Sequence, residues 1–435
     1  MHKPWHSLVF GLIVFLSLGL LSFGFPKTGI TLTNNFRLEF PTLTDILGNH
    51  QPKNDISKIL ESVDKLDTNF SINNSQGSSG KNRKDSATKL ITSIQYRNKV
   101  VLANFFDALT KVKNSPRSIR VLHYGDSQIE GDRITDYLRL KLQGQFGGQG
   151  PGLISLMPIS PSVTNRIVNG PGWDRYNIFT MKDKRVNHSN YGVLAGFNRY
   201  CGYRKIYDTS VVYSSSIEVS TTKFGGTNAM AYKKVKLFYG GSQTKTWCEF
   251  YDGPALIAAD SLDSGGSFRL KEYSVGQGSF THKLKFSGKD SPDFYAMSLE
   301  SDNGVMVDNI ALRGSSGTFF NQINPNQLKE FYDYLNVKLV ILQFGGNVMP
   351  SIKENTLVTA YGNYIKYQIS IVKKLAPGAS ILFIGPSDMS VKSGTEYITM
   401  PFLEETRDAI KKAVLESDCA FFDMYDCMGG KNSMP

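Results

Sequence analysis

The sequence is poor in the residues that hold metals. Its 435 residues include four cysteines, Cys201, Cys248, Cys419 and Cys427, and six histidines, His2, His6, His50, His123, His188 and His282. None stands in a CxxC pair or a Cys/His ligand spacing, which excludes the common zinc patterns, and no metal or cofactor is expected. The cysteines read as isolated buried thiols, with a Cys419 to Cys427 bridge open only in an oxidising compartment. The formal charge of +11 is spread without a compact Lys/Arg run or a nucleic-acid motif. It suits an anionic environment but selects no partner, and a nucleic-acid partner is not expected. The glycine-rich Phe146 to Gly152 lacks the Lys-Ser/Thr ending of a phosphate loop and reads as an exit into another domain.

Charge is also missing from one long stretch. Ser7 to Phe25 has no charged residue, is dense in Leu, Phe, Val and Ile, and is preceded by Lys3. That length crosses a bilayer, and its exit Ser22-Phe23-Gly24 is a poor signal-peptidase site. We expect an amino-terminal transmembrane helix, with the basic end inside and the body extracytoplasmic, in the periplasm or at the cell surface. Residues 1–27 form this anchor or signal, and 28–86 a polar linker. Within it, Ser71 to Lys84 has too little apolar surface to offset the entropy of ordering.

What remains is globular: 40% hydrophobic and 12% aromatic residues suffice for a sizeable core. Two textures alternate. From 147 to 304 the chain is rich in Gly, Ser, Thr and Tyr, with short alternating segments at Val211 to Ser220, Lys233 to Tyr239, Thr281 to Phe286 and Phe294 to Glu300. These predict a β-sandwich, jelly-roll-like insert. Residues 87–146 and 305–435 instead alternate apolar strands, at Ser118 to Tyr124, Val337 to Phe344, Ser380 to Ile384 and Ala420 to Met424, with helical stretches. The helices are placed at about Val100 to Val112, Arg133 to Phe146, Thr356 to Leu375 and Pro401 to Glu416. The fold class is therefore α/β, a parallel sheet with helices on both faces, interrupted by the insert.

Three segments at strand ends carry chemistry. In Val121 to Asp132 an apolar strand breaks at Gly125-Asp126 and presents Ser127 at the mouth of a helix, whose free amides and positive dipole end would stabilise an oxyanion. Arg313-Gly-Ser-Ser-Gly-Thr318 lets a backbone amide approach a ligand, and Gln343-Phe-Gly-Gly-Asn347 ends a buried strand in a side-chain amide donor. Each alone is an ordinary turn or cap. Together they mark one edge of an open α/β sheet, where ligands bind.

The ordered blocks Gly125-Asp126-Ser127, Gly317 and Gly345-Gly346-Asn347 resemble the SGNH (GDSL-like) hydrolase family, whose sheet is flavodoxin-like. The resemblance covers about Val121 to Phe146 and Val305 to Met428. It implies that Ser127 is the nucleophile and its amide the first oxyanion donor, with Gly317 and Asn347 as the second and third. Losing one such donor costs ~3 kcal/mol of transition-state stabilisation. Val348 stands where the family usually has Asp, which is tolerable because Asn347 is the donor. The family's closing Asp-x-x-His, which supplies the base, has no counterpart, since every histidine precedes Asn347. His123 reads as structural, and the sequence reads as a fragment that lacks its base.

Family members at the cell envelope also carry a β-sandwich resembling carbohydrate-binding modules. Trp173, Tyr176, Tyr191 and Trp247 are stacking or core residues on that reading. The resemblance implies a serine esterase that removes acetyl groups from an envelope glycan such as peptidoglycan. Acyl transfer to a sugar hydroxyl and glycan binding with a degenerate site are its alternatives.

Overall fold

The computed structural model describes residues 30–33, 36–38, 93–178, 183–203, 210–276 and 278–434. The predicted anchor, Ser7 to Phe25, and the Ser71 to Lys84 tether lie outside the described residues. Among the described residues no helix is long and apolar enough to cross a membrane. The chain separates into two units, Met1–Asp85 and Ser86–Pro435. In the first, strands Ile30–Thr33 and Phe36–Leu38 pair antiparallel, inside the stretch expected to be polar linker.

The second unit is mixed α/β. Its parallel sheet comprises β1 (Ile119–Gly125), β2 (Val305–Ala311), β3 (Val337–Gln343), β4 (Ser380–Ile384) and β5 (Ala420–Phe422), in the order β2-β1-β3-β4-β5. Every residue of β1 is buried, as a strand covered on both faces must be. Strand alternation divides its side chains. Ile119 and Val121 pack with Phe105 and Leu109 of α1 (Ala103–Lys111) and with Leu138 and Leu142 of α2 (Thr135–Phe146). Leu122 and Tyr124 point the other way. They meet Phe331 of α3 (Pro325–Leu335), Ile365 and Ile369 of α4 (Asn355–Leu375) and Ile410 of α5 (Leu403–Glu416).

Three expectations about this half of the chain need correction. The helix after Ser127 is not continuous with the turn. Ser127–Asp132 is a 3-10 segment broken at Glu130 and Gly131, and α2 begins only at Thr135. No long helix dipole therefore starts at Ser127. Of the apolar positions expected along α2, Ile134, Tyr137, Leu138 and Leu142, the two leucines pack on the core but Tyr137 is exposed, and the fully buried positions are the polar Thr135, Arg139 and Gln143. These polar groups face polar partners. Arg139 holds Asp132 through two bonds of 2.7 and 3.1 Å and donates to the Val307 carbonyl, while Gln143 donates to the Gly150 and Val305 carbonyls. At the carboxyl end, β5 stops at Phe422 rather than Met424 because Asp423 caps the short helix Met424–Cys427.

The Phe146 to Gly152 loop leads out of α2 with its backbone pressed against β2. A Cβ on Gly148, at φ +108, would sit 2.3 Å from the Val305 carbonyl oxygen, so only glycine fits. Two antiparallel sheets follow. The first orders its strands Ala255–Leu262, Thr246–Asp252, Thr281–Gly288, Tyr213–Thr221 and Asn165–Asn169; the second is built on Lys234–Gly240 and Asp293–Glu300. Leu284 and Phe286 from one sheet and Leu237, Met297 and Leu299 from the other close a core between them.

A buried ion network ties the sandwich to the parallel sheet. Arg120 of β1 donates to Asp308 of β2 at 2.8 Å and to Glu300 and Ser298 of the sandwich strand. Cys419 and Cys427 are free thiols, and no bridge joins them.

Candidate active site

In an open sheet of order 2-1-3-4-5 the strand order reverses between β1 and β3, and loops leaving their carboxyl ends splay apart to form a crevice. Ser127 leaves β1 at this point and Asn347 follows β3. The loop after β1 is held from within. Asp126 accepts from the Gln128 amide at 2.8 Å, and Arg133 donates to the carbonyls of Ser127 and Glu130, at 2.9 and 2.8 Å, which the broken turn leaves unpaired. The Ser127 side chain is half-buried, and its hydroxyl has no hydrogen-bond partner among the described residues.

The three predicted residues are brought to one edge through two groups the sequence reading did not assign, Asp126 and Ser315. Asn347 Nδ2 donates to Asp126 Oδ2 and to the Ser315 carbonyl, both at 3.1 Å. The Gly317 amide donates to Ser315 Oγ at 3.1 Å. Both candidate oxyanion donors thus rest on protein acceptors, and a substrate oxyanion must take them over from Asp126 and Ser315. Burial pushes the Asp126 carboxyl above its usual range, against the lowering effect of the Gln128 amide. Gly317 has φ +76, and a Cβ there would lie 2.7 Å from the Phe344 ring, so this position also demands glycine. The signal for Asp126 was its place in the Gly-Asp-Ser turn; for Ser315 the sequence offered only a serine in a glycine loop.

His123 is buried beneath the site. Its Nδ1 lies 3.0 Å from Thr135 Oγ1 and its Nε2 3.1 Å from Gln343 Oε1. Burial lowers its pKa to about 4, only partly opposed by Gln343, so it is neutral at pH 7 and does not reach Ser127. His188 contacts Tyr203 and Asp293 inside the insert, and His282 contacts Tyr232 and Asp252. Among the described residues no imidazole hydrogen-bonds Ser127.

The four aromatic residues of the insert divide. Trp173, Tyr176 and Tyr191 are core. Trp247 is 45% exposed, over a trough lined by Ser214, Ser216, Glu249 and Lys285 on the outer face of the first sandwich sheet.

No family model matches the sequence, and no curated protein matches it. Among solved structures the chain is similar to a peptidoglycan O-acetylesterase, with TM-score 0.58 and 17% identity over 78% of this chain and 87% of that one. A carbohydrate esterase family 2 enzyme with a carbohydrate-binding domain, from Corynascus thermopiles (Myceliophthora fergusii), aligns at TM-score 0.23 and 12% identity over 48% and 84% of the two chains. The salicylyl-acyltransferase SsfX3 of a tetracycline biosynthetic pathway aligns at 0.23 and 10% over 60% and 85%. The likeness to the peptidoglycan O-acetylesterase shows a shared fold and no more.

Proposed function

We propose that this protein is a serine esterase of SGNH type that removes acetyl groups from a cell-envelope glycan. The observation that carries the reading is the placement of an unpartnered Ser127 hydroxyl at the β1/β3 crevice, beside Asn347 and Gly317 gathered on Ser315. Ser127 Oγ attacks the acetyl carbonyl and gives its proton to solvent, and the negative charge that develops draws the Gly317 amide and the Asn347 side chain away from their resting acceptors; the sugar oxygen then leaves and takes up a proton, and water hydrolyses the acetyl-enzyme to acetate. Preorganised donors of this kind act most strongly where water is displaced. The likeness to a peptidoglycan O-acetylesterase supports a glycan acetyl ester as substrate, and the apolar run Ser7 to Phe25 supports an extracytoplasmic site.

Acetate release from O-acetylated peptidoglycan by the full-length protein, compared with Ser127→Ala, tests the reading. Loss of release in the variant is expected; equal release by both proteins removes Ser127 from the reaction. Trp247 favours a second reading, a glycan-binding protein without turnover. Glycan retention with no acetate release by either protein would select it.

A further inference from the structure

We infer that Ser387 is a substrate-binding residue beside Ser127, held in register by a chain of polar side chains that runs from the buried His123 to the half-buried Gln128; this rests on the esterase reading. Gln128 Nε2 donates to Ser387 Oγ at 2.8 Å, Gln343 Nε2 donates to Gln128 Oε1 at 3.2 Å, and Gln343 Oε1 meets His123 Nε2 at 3.1 Å. The chain starts on β1, crosses to β3, returns to the residue after Ser127 and ends on the loop after β4. It thus spans the crevice from its floor to its rim.

Burial alone gives no reason for these groups. His123 and Gln343 are almost fully buried on a sheet face otherwise filled by Val121, Ile341 and Leu339, where polar groups cost free energy unless every one is paired. An apolar pair would fill the same space without that cost. What the chain does achieve is to fix Gln128, the immediate neighbour of Ser127, at both ends of its amide.

The outer end of the chain is unfinished. Ser387 Oγ takes one hydrogen bond from Gln128, and a hydroxyl can make more. The remaining capacity faces an open depression that Ser387 shares with Ser127, Gln128, Arg133 and Met424. A group bound there lies next to the carbonyl that Ser127 attacks. Its chemistry is a neutral donor and acceptor, which in an acetylated glycan is the sugar hydroxyl or acetamido group adjacent to the ester. Ser387 thereby selects a sugar ester over a simple acetate ester.

The test measures binding of an O-acetylated disaccharide to full-length protein carrying Ser127→Ala, by titration calorimetry. Adding Ser387→Ala should weaken binding about tenfold, the scale of one neutral hydrogen bond. Adding Ser387→Thr instead should restore it, since the hydroxyl is kept. Gln343→Met, which frees Gln128 but leaves Ser387 intact, should give a smaller loss. Unchanged affinity in Ser387→Ala overturns the inference and leaves the esterase reading standing. Failure of the parent protein to bind the disaccharide overturns that reading and this inference together. Because Ser387 lies at the rim, its variants remain informative even where Gln343→Met does not fold.

Discussion

Acidification should destabilise this protein through His123 in a way that one variant isolates. The unfolded chain takes up a proton on this imidazole near its ordinary pKa of 6.5, whereas burial delays uptake in the folded chain to about 4. Between those values the unfolded state holds more protons, so stability falls as pH falls. Above 6.5 the penalty is absent, and it accumulates down to about pH 4. At 1.36 kcal/mol for each tenfold change in proton affinity, the full penalty is about 3 kcal/mol. No charged group contributes to the shift: its causes are burial and, in opposition, the Gln343 bond. Urea unfolding across this range, for the natural protein and for His123→Gln, measures the effect. Carboxylates and the other histidines titrate in both proteins and cancel in the difference. The two stability curves should converge as the pH drops. If they stay parallel from pH 7 to about 4, the neutral, buried placement of His123 is wrong.

Three further outcomes are expected. Gly317→Ala should lose stability by ~1–2 kcal/mol for the left-handed backbone alone, with more from the Phe344 contact; an unchanged urea midpoint would count against the positive φ. Arg139→Met strands the Asp132 carboxylate in the interior and should cost about 3–5 kcal/mol, part of which Asp132→Asn recovers when the two are combined; full additivity in a double-mutant cycle would refute the pairing. Trp247→Ala should reduce retention on insoluble peptidoglycan, and equal retention in a pull-down would remove the trough from glycan contact.

The strands were legible wherever burial on both faces leaves a nearly continuous apolar run, as in β3 and β4. In the insert, alternation within Thr281–Gly288 marked a strand buried on one face only. Helix α2 was only partly legible because Thr135, Arg139 and Gln143 bury themselves beside Leu138 and Leu142, and a polar residue that buries itself against a partner elsewhere in the chain looks like a surface residue in sequence. Trp173 and Trp247 posed a similar problem: both lie in or next to alternating segments, and only the sheet register separates the core ring from the exposed one. At the site, the glycine and asparagine blocks were readable as motifs. The contacts that assemble them, Asp126 and Ser315 with Asn347, depend on loops far apart in sequence meeting in space. Gln343 carried one overlooked signal, a polar residue closing an apolar strand.

Arg120 bears on how such a chain could be dissected. Its guanidinium is shared between Asp308 of the parallel sheet and Glu300 of the sandwich, with all three side chains out of water. Excising residues 147–304 and rejoining the ends would take away Glu300 and Ser298 and uncover the flank of β1 that they shield. The sandwich is in that sense wired into the parallel-sheet half as a keystone, and deletion mapping that treats it as a detachable accessory would report misfolding as loss of function.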